Sequence, residues 1–213
     1  MTPGEHKVTL AYSGDSEFNE EKSPETTVTI PKPIPVITLT ANNIIASYSA
    51  NAIYTITVTA DGEKIADNET ILITFNGFKQ TAKTFNGTAK FIVGTEIKVG
   101  KYTITAEYKN KTVSNTVDIL NIINAKKLKK LKKSKKVNKV KVSLLKVDGK
   151  IQAGKKLTLK LKNKKVATAK TNKKGTATFK VKKKALKKFK KGKKVVATVV
   201  YGADTVSKKI KIA

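Results

Sequence analysis

The sequence contains no cysteine, no tryptophan and no arginine among its 213 residues, and its only histidine is His6. Without cysteine the chain forms no disulfide and offers no thiol nucleophile or thiolate metal site. The absence of cysteine does not indicate a cellular compartment, because many surface proteins have no disulfides. A single histidine cannot assemble a Ser-His-Asp triad, a histidine metal triad or a histidine acid/base pair. We therefore expect the protein to be neither an enzyme nor a cofactor-binding protein.

Long apolar runs are also absent. No segment approaches the roughly 18 apolar residues that a membrane-spanning helix needs. The first residues, Met1 to Gly4, lack the basic and apolar regions of a signal peptide. Since the chain begins inside a repeat, as described below, we expect it to be a fragment of a longer protein whose signal or anchor lies outside it.

Negative charge is scarce in the last part of the chain. Residues 1–120 hold 11 lysines and 13 acidic residues, whereas residues 121–213 hold 34 lysines and two acidic residues, Asp148 and Asp204. All 45 basic residues are lysine. The C-terminal part is therefore a polycation, and AT-rich coding bias is an alternative explanation for part of its lysine excess.

One stretch of the sequence occurs twice. Residues 61–91 and 148–179 share Asp-Gly, a later asparagine, Thr-Ala-Lys-Thr and Gly-Thr-Ala-X-Phe, in that order. The offset is 87 residues from the aspartate to the second threonine, which predicts an alignment without gaps over that span. Self-similarity of this kind indicates one structural unit used twice. Residues 1–30 match the end of the same unit, so they read as a third copy without its beginning.

Both copies carry the pattern of β-strands. Short segments rich in isoleucine, valine, threonine and aromatic residues alternate apolar with polar positions, which indicates strands with one buried face. Asn-Gly and Asp-Gly turns, which require positive φ angles, separate them. Short strands at this spacing predict antiparallel β-sandwiches. The expected strands are 36–40, 53–59, 71–75, 78–84, 88–93, 102–108 and 112–119 in the first copy, and 140–147, 156–162, 166–171, 176–181, 195–201 and 205–212 in the second.

The sequence accordingly divides into five parts: a truncated repeat (1–30), a stiff proline-rich linker (31–35), a sandwich (36–120), a lysine-rich linker (121–138) and a basic sandwich (139–213). In the lysine-rich linker, Leu128 and Leu131 have the spacing of one helix face. A basic amphipathic helix on an anionic membrane is therefore an alternative. Two leucines make a poor apolar face, so we favour a solvated, self-repelling linker.

Two groups of polar residues invite a site interpretation. Recurrent Asp61 and Asp148 each precede a glycine, so turn chemistry explains them better than catalysis. An acidic loop suggests calcium, but its spacing fits no ligand pattern and we favour a solvated loop; its carboxylates are Asp15, Glu17, Glu20 and Glu21. We predict no metal site.

Three asparagines match the N-glycosylation acceptor pattern. They are Asn68, Asn86 and Asn110, and all three fall in predicted turns of the near-neutral copy. Chance could supply several such matches in a sequence rich in asparagine and threonine. Their shared placement in loops is consistent with glycans on an exposed surface protein.

Several segments resemble a known family. Asp148-Gly149-Lys150, residues 154–160, residues 168–179 and residues 199–202 look like the bacterial-type immunoglobulin-like (Ig-like) repeats of adhesin-like surface proteins of methanogenic archaea. Residues 8–15 and 27–30 resemble the end of such a repeat. The resemblance implies an all-β chain of tandem antiparallel Ig-like β-sandwich domains, extracellular, at the cell surface or in the cell wall. It implies a stalk or adhesin and supplies no catalytic residues.

Charge and resemblance together predict that the last copy contacts an anionic cell-wall or surface polymer. Other cell-surface glycans or proteins are further expected partners. We expect the contacts in two lysine-rich segments, one before the last sandwich and one within it. Their candidate residues are Lys126, Lys127, Lys129, Lys130, Lys182, Lys183, Lys184, Lys187, Lys188, Lys190, Lys191, Lys193 and Lys194.

Three alternatives remain at this point. The lysines could serve solubility alone, the linker could touch a membrane surface, or the chain could bind polyanions unspecifically, nucleic acid included. Specific nucleic-acid recognition is disfavoured, because arginine forks are absent and threonines stand at 176 and 178 where an RNA-binding motif needs aromatic residues.

Overall fold

The computed structural model describes residues 1–213 and is built almost entirely of strands. The N-terminal 30 residues form a long two-stranded hairpin in which β1 pairs with β4 and β2 pairs with β3. Nearly all of its side chains are exposed, since a single hairpin has nothing to pack against. Its strands are β1 (Gly4–Val8), β2 (Ala11–Tyr12), β3 (Glu21–Lys22) and β4 (Thr26–Ile30).

Residues 36–120 form the middle sandwich. One sheet has the order β5-β7-β11 and the other has β9-β12-β13-β6, while β10 joins them by pairing with β9 and then with β11. Apart from the parallel pair β6–β13, the pairing is antiparallel. The strands are β5 (Ile37–Ala41), β6 (Ile44–Ser47), β7 (Ile53–Ala60), β8 (Glu63–Lys64), β9 (Thr70–Phe75), β10 (Phe78–Phe85), β11 (Thr88–Ile92), β12 (Gly100–Tyr108) and β13 (Lys111–Leu120).

Residues 121–213 form the C-terminal sandwich. Its sheets have the orders β14-β16-β19 and β15-β21-β20-β17-β18, which reproduce the arrangement of the middle sandwich. Its strands are β14 (Ile123–Asn124), β15 (Lys130–Leu131), β16 (Val137–Leu144), β17 (Lys156–Leu161), β18 (Lys164–Lys170), β19 (Thr176–Lys182), β20 (Lys194–Tyr201) and β21 (Asp204–Ile212), with a short 3₁₀ helix at Lys183–Leu186. The prediction of an all-β chain of tandem antiparallel Ig-like sandwiches is confirmed. No helix has the length and apolarity to cross a bilayer.

The alternation of buried and exposed side chains, and the positive φ angles of the turns, follow the pattern predicted from the sequence. In β17, Leu157, Leu159 and Leu161 are fully buried while the alternate positions point outward. The Asn-Gly turn between β9 and β10 has positive φ at both residues, 51° at Asn76 and 82° at Gly77, as the hairpin signal requires.

The lysine-rich segment 121–138 is not a linker, and it is not an amphipathic helix; both interpretations are wrong. Ile123 pairs with β16 in one sheet, and Leu131 then pairs with β21 in the other. The chain crosses between sheets at a turn where the Leu128 N–H donates to the Ala125 carbonyl at 3.0 Å. Leu128 and Leu131 both enter the core. Their helix-like spacing thus arises from a strand that changes sheets.

The gap-free alignment of the two copies is also wrong in detail. Each copy has a threonine whose N–H bonds back across a loop, Thr84 to the Glu69 carbonyl and Thr171 to the Lys155 carbonyl, both at 2.9 Å. The two threonines are 87 residues apart, but their acceptors are only 86 apart. Relative to the middle sandwich, the C-terminal one therefore has one residue fewer before β17. One extra residue in β18, the bulged Val166, restores the offset. Val166 has no partner on β17, because Ala167 pairs with Leu159 and Lys165 pairs with the next residue, Lys160.

The two sandwiches meet through a packed joint centred on Tyr48, which is 4% exposed. Its hydroxyl accepts a hydrogen bond from the Ala203 N–H at 3.0 Å, and its ring meets Tyr201 edge-on at 5.7 Å between centroids. Gly202, at the tip of the β20–β21 hairpin, lies directly against the Tyr48 hydroxyl. The joint therefore depends on a residue without a side chain at this tip.

Both acidic residues of the C-terminal sandwich lie at this joint. Asp204 is buried and accepts hydrogen bonds from the Ile122 and Ile123 N–H groups at 2.9 and 3.2 Å. Burial raises the pKa of Asp204, and these two bonds offset part of that effect. Asp148 accepts a bond from the Asn51 N–H of the middle sandwich at 3.3 Å. The turn assignment of Asp148 therefore extends to a contact between the repeats.

A side chain at Gly202 is expected to open the joint. In Gly202→Ala the added methyl overlaps the Tyr48 hydroxyl, and the φ of +55° disfavours any side chain, so we expect a loss of about 1–3 kcal/mol at this contact. Residual dipolar couplings should then show two sandwiches that reorient separately. Gly154→Ala is the control, because Gly154 has a similar φ of +71° and open space around it. Equal couplings in both variants would contradict this account of the joint.

Alkaline pH is expected to destabilise the middle sandwich through Tyr54. Burial raises the pKa of Tyr54 to about 12, and its hydroxyl donates to Asn115 Oδ1 at 2.7 Å. Between pH 10 and 12 the tyrosine ionises in the unfolded chain before it does in the folded one, so stability falls with rising pH, by about 2–3 kcal/mol. Urea unfolding of the wild type and of Tyr54→Phe from pH 9 to 12 measures this effect. The difference between their free energies of unfolding, in favour of the wild type, should shrink as the pH rises. An advantage that stays constant would contradict the shift.

Candidate polyanion-binding surface

The lysines of the C-terminal sandwich have no carboxylate partners. The structure contains two salt bridges, Lys7–Glu25 at 2.7 Å and Lys101–Asp118 at 3.9 Å, and both lie outside this sandwich. Its own two carboxylates, Asp148 and Asp204, accept backbone N–H groups at the joint. The 34 lysines of residues 121–213 are therefore neutralised only by ions or molecules from outside the chain.

Lysines also stand opposite lysines on neighbouring strands. Such like-charge pairs destabilise a sheet by up to about 1 kcal/mol each. In the middle sandwich the cross-strand partners of lysine are threonine, aspartate or tyrosine instead. The five lysine pairs of the C-terminal sandwich are Lys130–Lys211, Lys139–Lys180, Lys156–Lys170, Lys160–Lys165 and Lys194–Lys211.

Two of these pairs share Lys211, and their positions have direct counterparts in the middle sandwich. Lys211 of β21 lies between Lys130 of β15 and Lys194 of β20, which makes a row of three lysines across three strands. At the equivalent places of the middle sandwich, Asp118 lies between Ile45 and Lys101. The same backbone thus carries an ion pair in one copy and a concentrated positive charge in the other.

The predicted segment 182–194 lies at the end of the C-terminal sandwich remote from the joint. Strand β20 begins there at Lys194 and runs to Tyr201, which touches Tyr48 at the other end. Leu186 anchors the segment in the core, and the Lys183 N–H donates to the Lys136 carbonyl at 3.0 Å. All nine predicted lysines of this segment are exposed. We call this lysine-rich end the distal end.

The predicted segment 126–130 leads towards the same end. Lys126, Lys127, Lys129 and Lys130 are all exposed. Beyond them, the Lys133 Nζ donates to the Phe189 carbonyl at 3.0 Å. The fold therefore joins the end of this segment to the distal end through Lys211 and Lys133, although the two segments are more than 50 residues apart in sequence.

A further basic surface was missed by the sequence reading. The outward face of the sheet β14-β16-β19 presents Lys139, Lys141 and Lys180, with a polar cleft of about 440 Å³ at one edge. The signal was available, because Lys139-Val140-Lys141-Val142 alternates basic exposed residues with buried valines. The polar side chains that line this cleft belong to Asn124, Lys126, Lys127, Lys141, Ser143, Asn172, Lys174, Thr176 and Thr178.

The other candidate residues have simpler environments. Asn68, Asn86 and Asn110 are all exposed in turns, and Asn86 Oδ1 accepts a bond from the Lys64 Nζ at 3.0 Å. In the acidic loop, Asp15 Oδ1 accepts the Glu17 and Phe18 N–H groups, each at 2.9 Å, as an ordinary turn residue does.

Neither His6 nor the acidic loop belongs to a cluster of metal-ligating side chains. The His6 Nε2 lies 2.6 Å from the Thr2 carbonyl oxygen. No group of three histidine, cysteine, aspartate or glutamate residues is arranged to hold one metal ion.

No protein-family model matches the chain, and no curated protein matches it. Among solved structures, the chain is similar to an I9–I11 tandem from titin, with 14% identity over 100% of this chain and 84% of that one and a TM-score of 0.43. It is also similar to invasin, described as a bacterial integrin-binding protein, with 18% identity over 83% and 39% and a TM-score of 0.38. Domains 4 and 5 of the S-layer protein SbsC show 16% identity over 54% and 66%, with a TM-score of 0.28. At these levels the likenesses carry no functional argument.

Replacing one lysine of the three-strand row should stabilise the C-terminal sandwich. Lys211→Asp recreates the ion pair that Asp118 forms with Lys101 and turns the repulsive pairs with Lys130 and Lys194 into attractive ones, so we expect a gain of about 1 kcal/mol at low salt. The gain should vanish near 1 M salt, where charges on the surface are screened. Thermal unfolding at both salt concentrations measures it. The reciprocal control, Asp118→Lys, should lose a similar amount in the middle sandwich, and a gain at Lys211→Asp that is independent of salt would contradict the charge explanation.

Proposed function

We propose that this chain is a non-enzymatic part of a cell-surface protein in which the C-terminal sandwich contacts an anionic cell-wall or surface polymer. The near-neutral middle sandwich serves as a spacer. The single observation that carries the proposal is the absence of any carboxylate partner for the lysines of residues 121–213. A fold that tolerates five lysine pairs across its strands loses stability unless an external polyanion neutralises them.

The distribution of the lysines favours an extended polymer over a small anion. Positive charge covers the β14-β16-β19 face, the three-lysine row and the distal end. Lysine presents a mobile point charge rather than the planar fork of arginine, so such a surface attracts many anionic groups without selecting one geometry. The resulting attraction is strong in sum and sensitive to salt.

The placement of charge supports an anchoring role. The two carboxylates of the C-terminal sandwich lie at the joint, whereas the predicted lysines of segment 182–194 lie at the opposite end. A polymer bound at the distal end does not touch the joint. The middle sandwich, which is attached at the joint, then extends away from the polymer. We place the protein outside the cell on this account, with glycans on Asn68, Asn86 and Asn110 as a further part of the proposal.

Unspecific binding of nucleic acid is the second candidate function, and the net charge favours it. The aromatic residues argue against a nucleic-acid binder that stacks bases. Phe179 is fully buried, Tyr201 packs in the joint, and Phe189 is half-buried. Phosphate attraction would thus be the whole of any such binding.

Binding of the full chain to three immobilised targets, namely isolated cell-wall polymer, duplex DNA and anionic lipid, tests the proposal when each is titrated with salt. We expect retention on the wall polymer that falls as salt rises, as counterion release requires. Loss of all three targets at one salt concentration would indicate a generic polycation whose partner is set by location. No salt-sensitive retention on wall polymer would overturn the proposal.

A matched pair of variants assigns the binding to the C-terminal sandwich. Replacing Lys139, Lys141, Lys180 and Lys182 by glutamine should weaken retention. It should also reduce the slope of log affinity against log salt concentration by about three to four, since fewer counterions are released on binding. The control replaces four lysines of the middle sandwich, Lys79, Lys83, Lys90 and Lys98, by glutamine. Equal weakening in both variants would contradict a specific role for the C-terminal sandwich.

A further inference from the structure

We propose that the distal end contains a binding groove for an acidic saccharide, in which an aromatic floor packs against a sugar ring while lysines pair with its anionic groups. The proposal rests on the proposed function, since it names the chemical class of polymer and the place of contact. The groove has a volume of about 350 Å³ and lies between the β17–β18 turn and the 3₁₀ helix. We call it the distal groove.

Two departures of the C-terminal sandwich from the repeat converge on this groove. The connection from β19 to β20 has eleven residues, four more than the β11–β12 connection of the middle sandwich, and it carries Ala185 and Phe189 into the groove wall. The bulged Val166, the one unpaired residue of β18, lines the groove from the other side. A feature assembled from two separate irregularities, both absent from the middle sandwich, is the kind of local change that marks a site.

The groove is held in place by the core and by backbone hydrogen bonds. Leu186, next to the groove wall, is fully buried. The Phe189 N–H donates to the Leu186 carbonyl at 3.1 Å, and the Phe189 carbonyl accepts from the Lys133 Nζ at 3.0 Å. On the opposite side, the Lys162 N–H donates to the Val196 carbonyl at 3.0 Å. The two walls are therefore fixed to the sandwich.

The lining combines apolar and cationic chemistry. Val166, Ala185 and Phe189 are half-buried, so each keeps part of its apolar surface open to a ligand. Five exposed lysines rim this floor, and no carboxylate is among the lining residues. The rim residues are Lys162, Lys164, Lys165, Lys184 and Lys188.

A ligand that uses this lining has an apolar face and repeated negative charge. Sugar rings present C–H groups on their faces, which suit an aromatic and aliphatic floor. An acidic saccharide polymer adds a carboxylate, sulfate or phosphate at each ring or every few rings, which matches a rim of five ammonium groups. Polyphosphate has the charge without the apolar face, and a fatty acid has the apolar chain with only one charge.

Binding of oligogalacturonate and of polyphosphate of equal charge to the full chain tests the distal groove, measured by calorimetry over a salt series. We expect oligogalacturonate to bind more tightly, with a component that persists at salt concentrations that release polyphosphate. Phe189→Ala should lower the affinity for oligogalacturonate about tenfold and leave that for polyphosphate unchanged. Phe189→Tyr should retain the preference. Phe78→Ala, which removes an exposed phenylalanine at the equivalent turn of the middle sandwich, should change neither affinity.

NMR of the wild-type chain gives an independent reading that no folding defect can obscure. The methyl resonances of Val166 and Ala185 should shift with oligogalacturonate and not with polyphosphate. Equal affinities for the two polymers, with equal or no methyl shifts, would overturn the groove and leave the proposed function standing. Failure of the chain to bind either polymer in a salt-sensitive way would overturn both.

Discussion

Strand alternation is the constraint on which the rest of this structure depends. Because successive side chains of a strand point to opposite faces, β17 places three leucines in the core while the residues between them face outward. Burial of one leucine side chain contributes about 1.5–3 kcal/mol, whereas one repulsive lysine pair costs at most about 1 kcal/mol. The core therefore outweighs the charge, and a sandwich can acquire 34 lysines without losing its fold.

The joint makes this charge directional. Tyr48 and Gly202 fit one sandwich against the next, and the buried carboxylate of Asp204 accepts the N–H groups of the chain that connects them. The two acidic side chains of the C-terminal sandwich, Asp148 and Asp204, both accept backbone hydrogen bonds at this contact. In the C-terminal copy, Lys133 occupies the position equivalent to Tyr48, and its Nζ donates to the Phe189 carbonyl at the distal end. The same element thus serves contact between repeats in one copy and charge in the other.

The sequence sufficed to predict the sandwich class, the main strands and the polycationic character, because alternation and Asn-Gly turns are local signals. It failed where a strand divides between two sheets. Leu128 and Leu131 alone have a helix-like spacing, but the full set of apolar residues in 122–131 follows neither a strand nor a helix period. Their burial therefore appears only when both sheets are present. The Val166 bulge and the distal groove were hidden for the same reason, since both depend on pairing between distant segments.

The central claim is that an external polyanion binds the C-terminal sandwich and neutralises its lysines. Amide hydrogen exchange of the full chain, with and without an anionic wall polymer, tests this claim most directly. At polymer concentrations about 100 times the dissociation constant, linkage predicts that globally exchanging amides of β16 to β21 slow about 100-fold. Amides of β7 to β13, whose sheet faces carry little net charge, should keep their rates. Equal protection of both sandwiches, or none in the C-terminal one, would contradict the account.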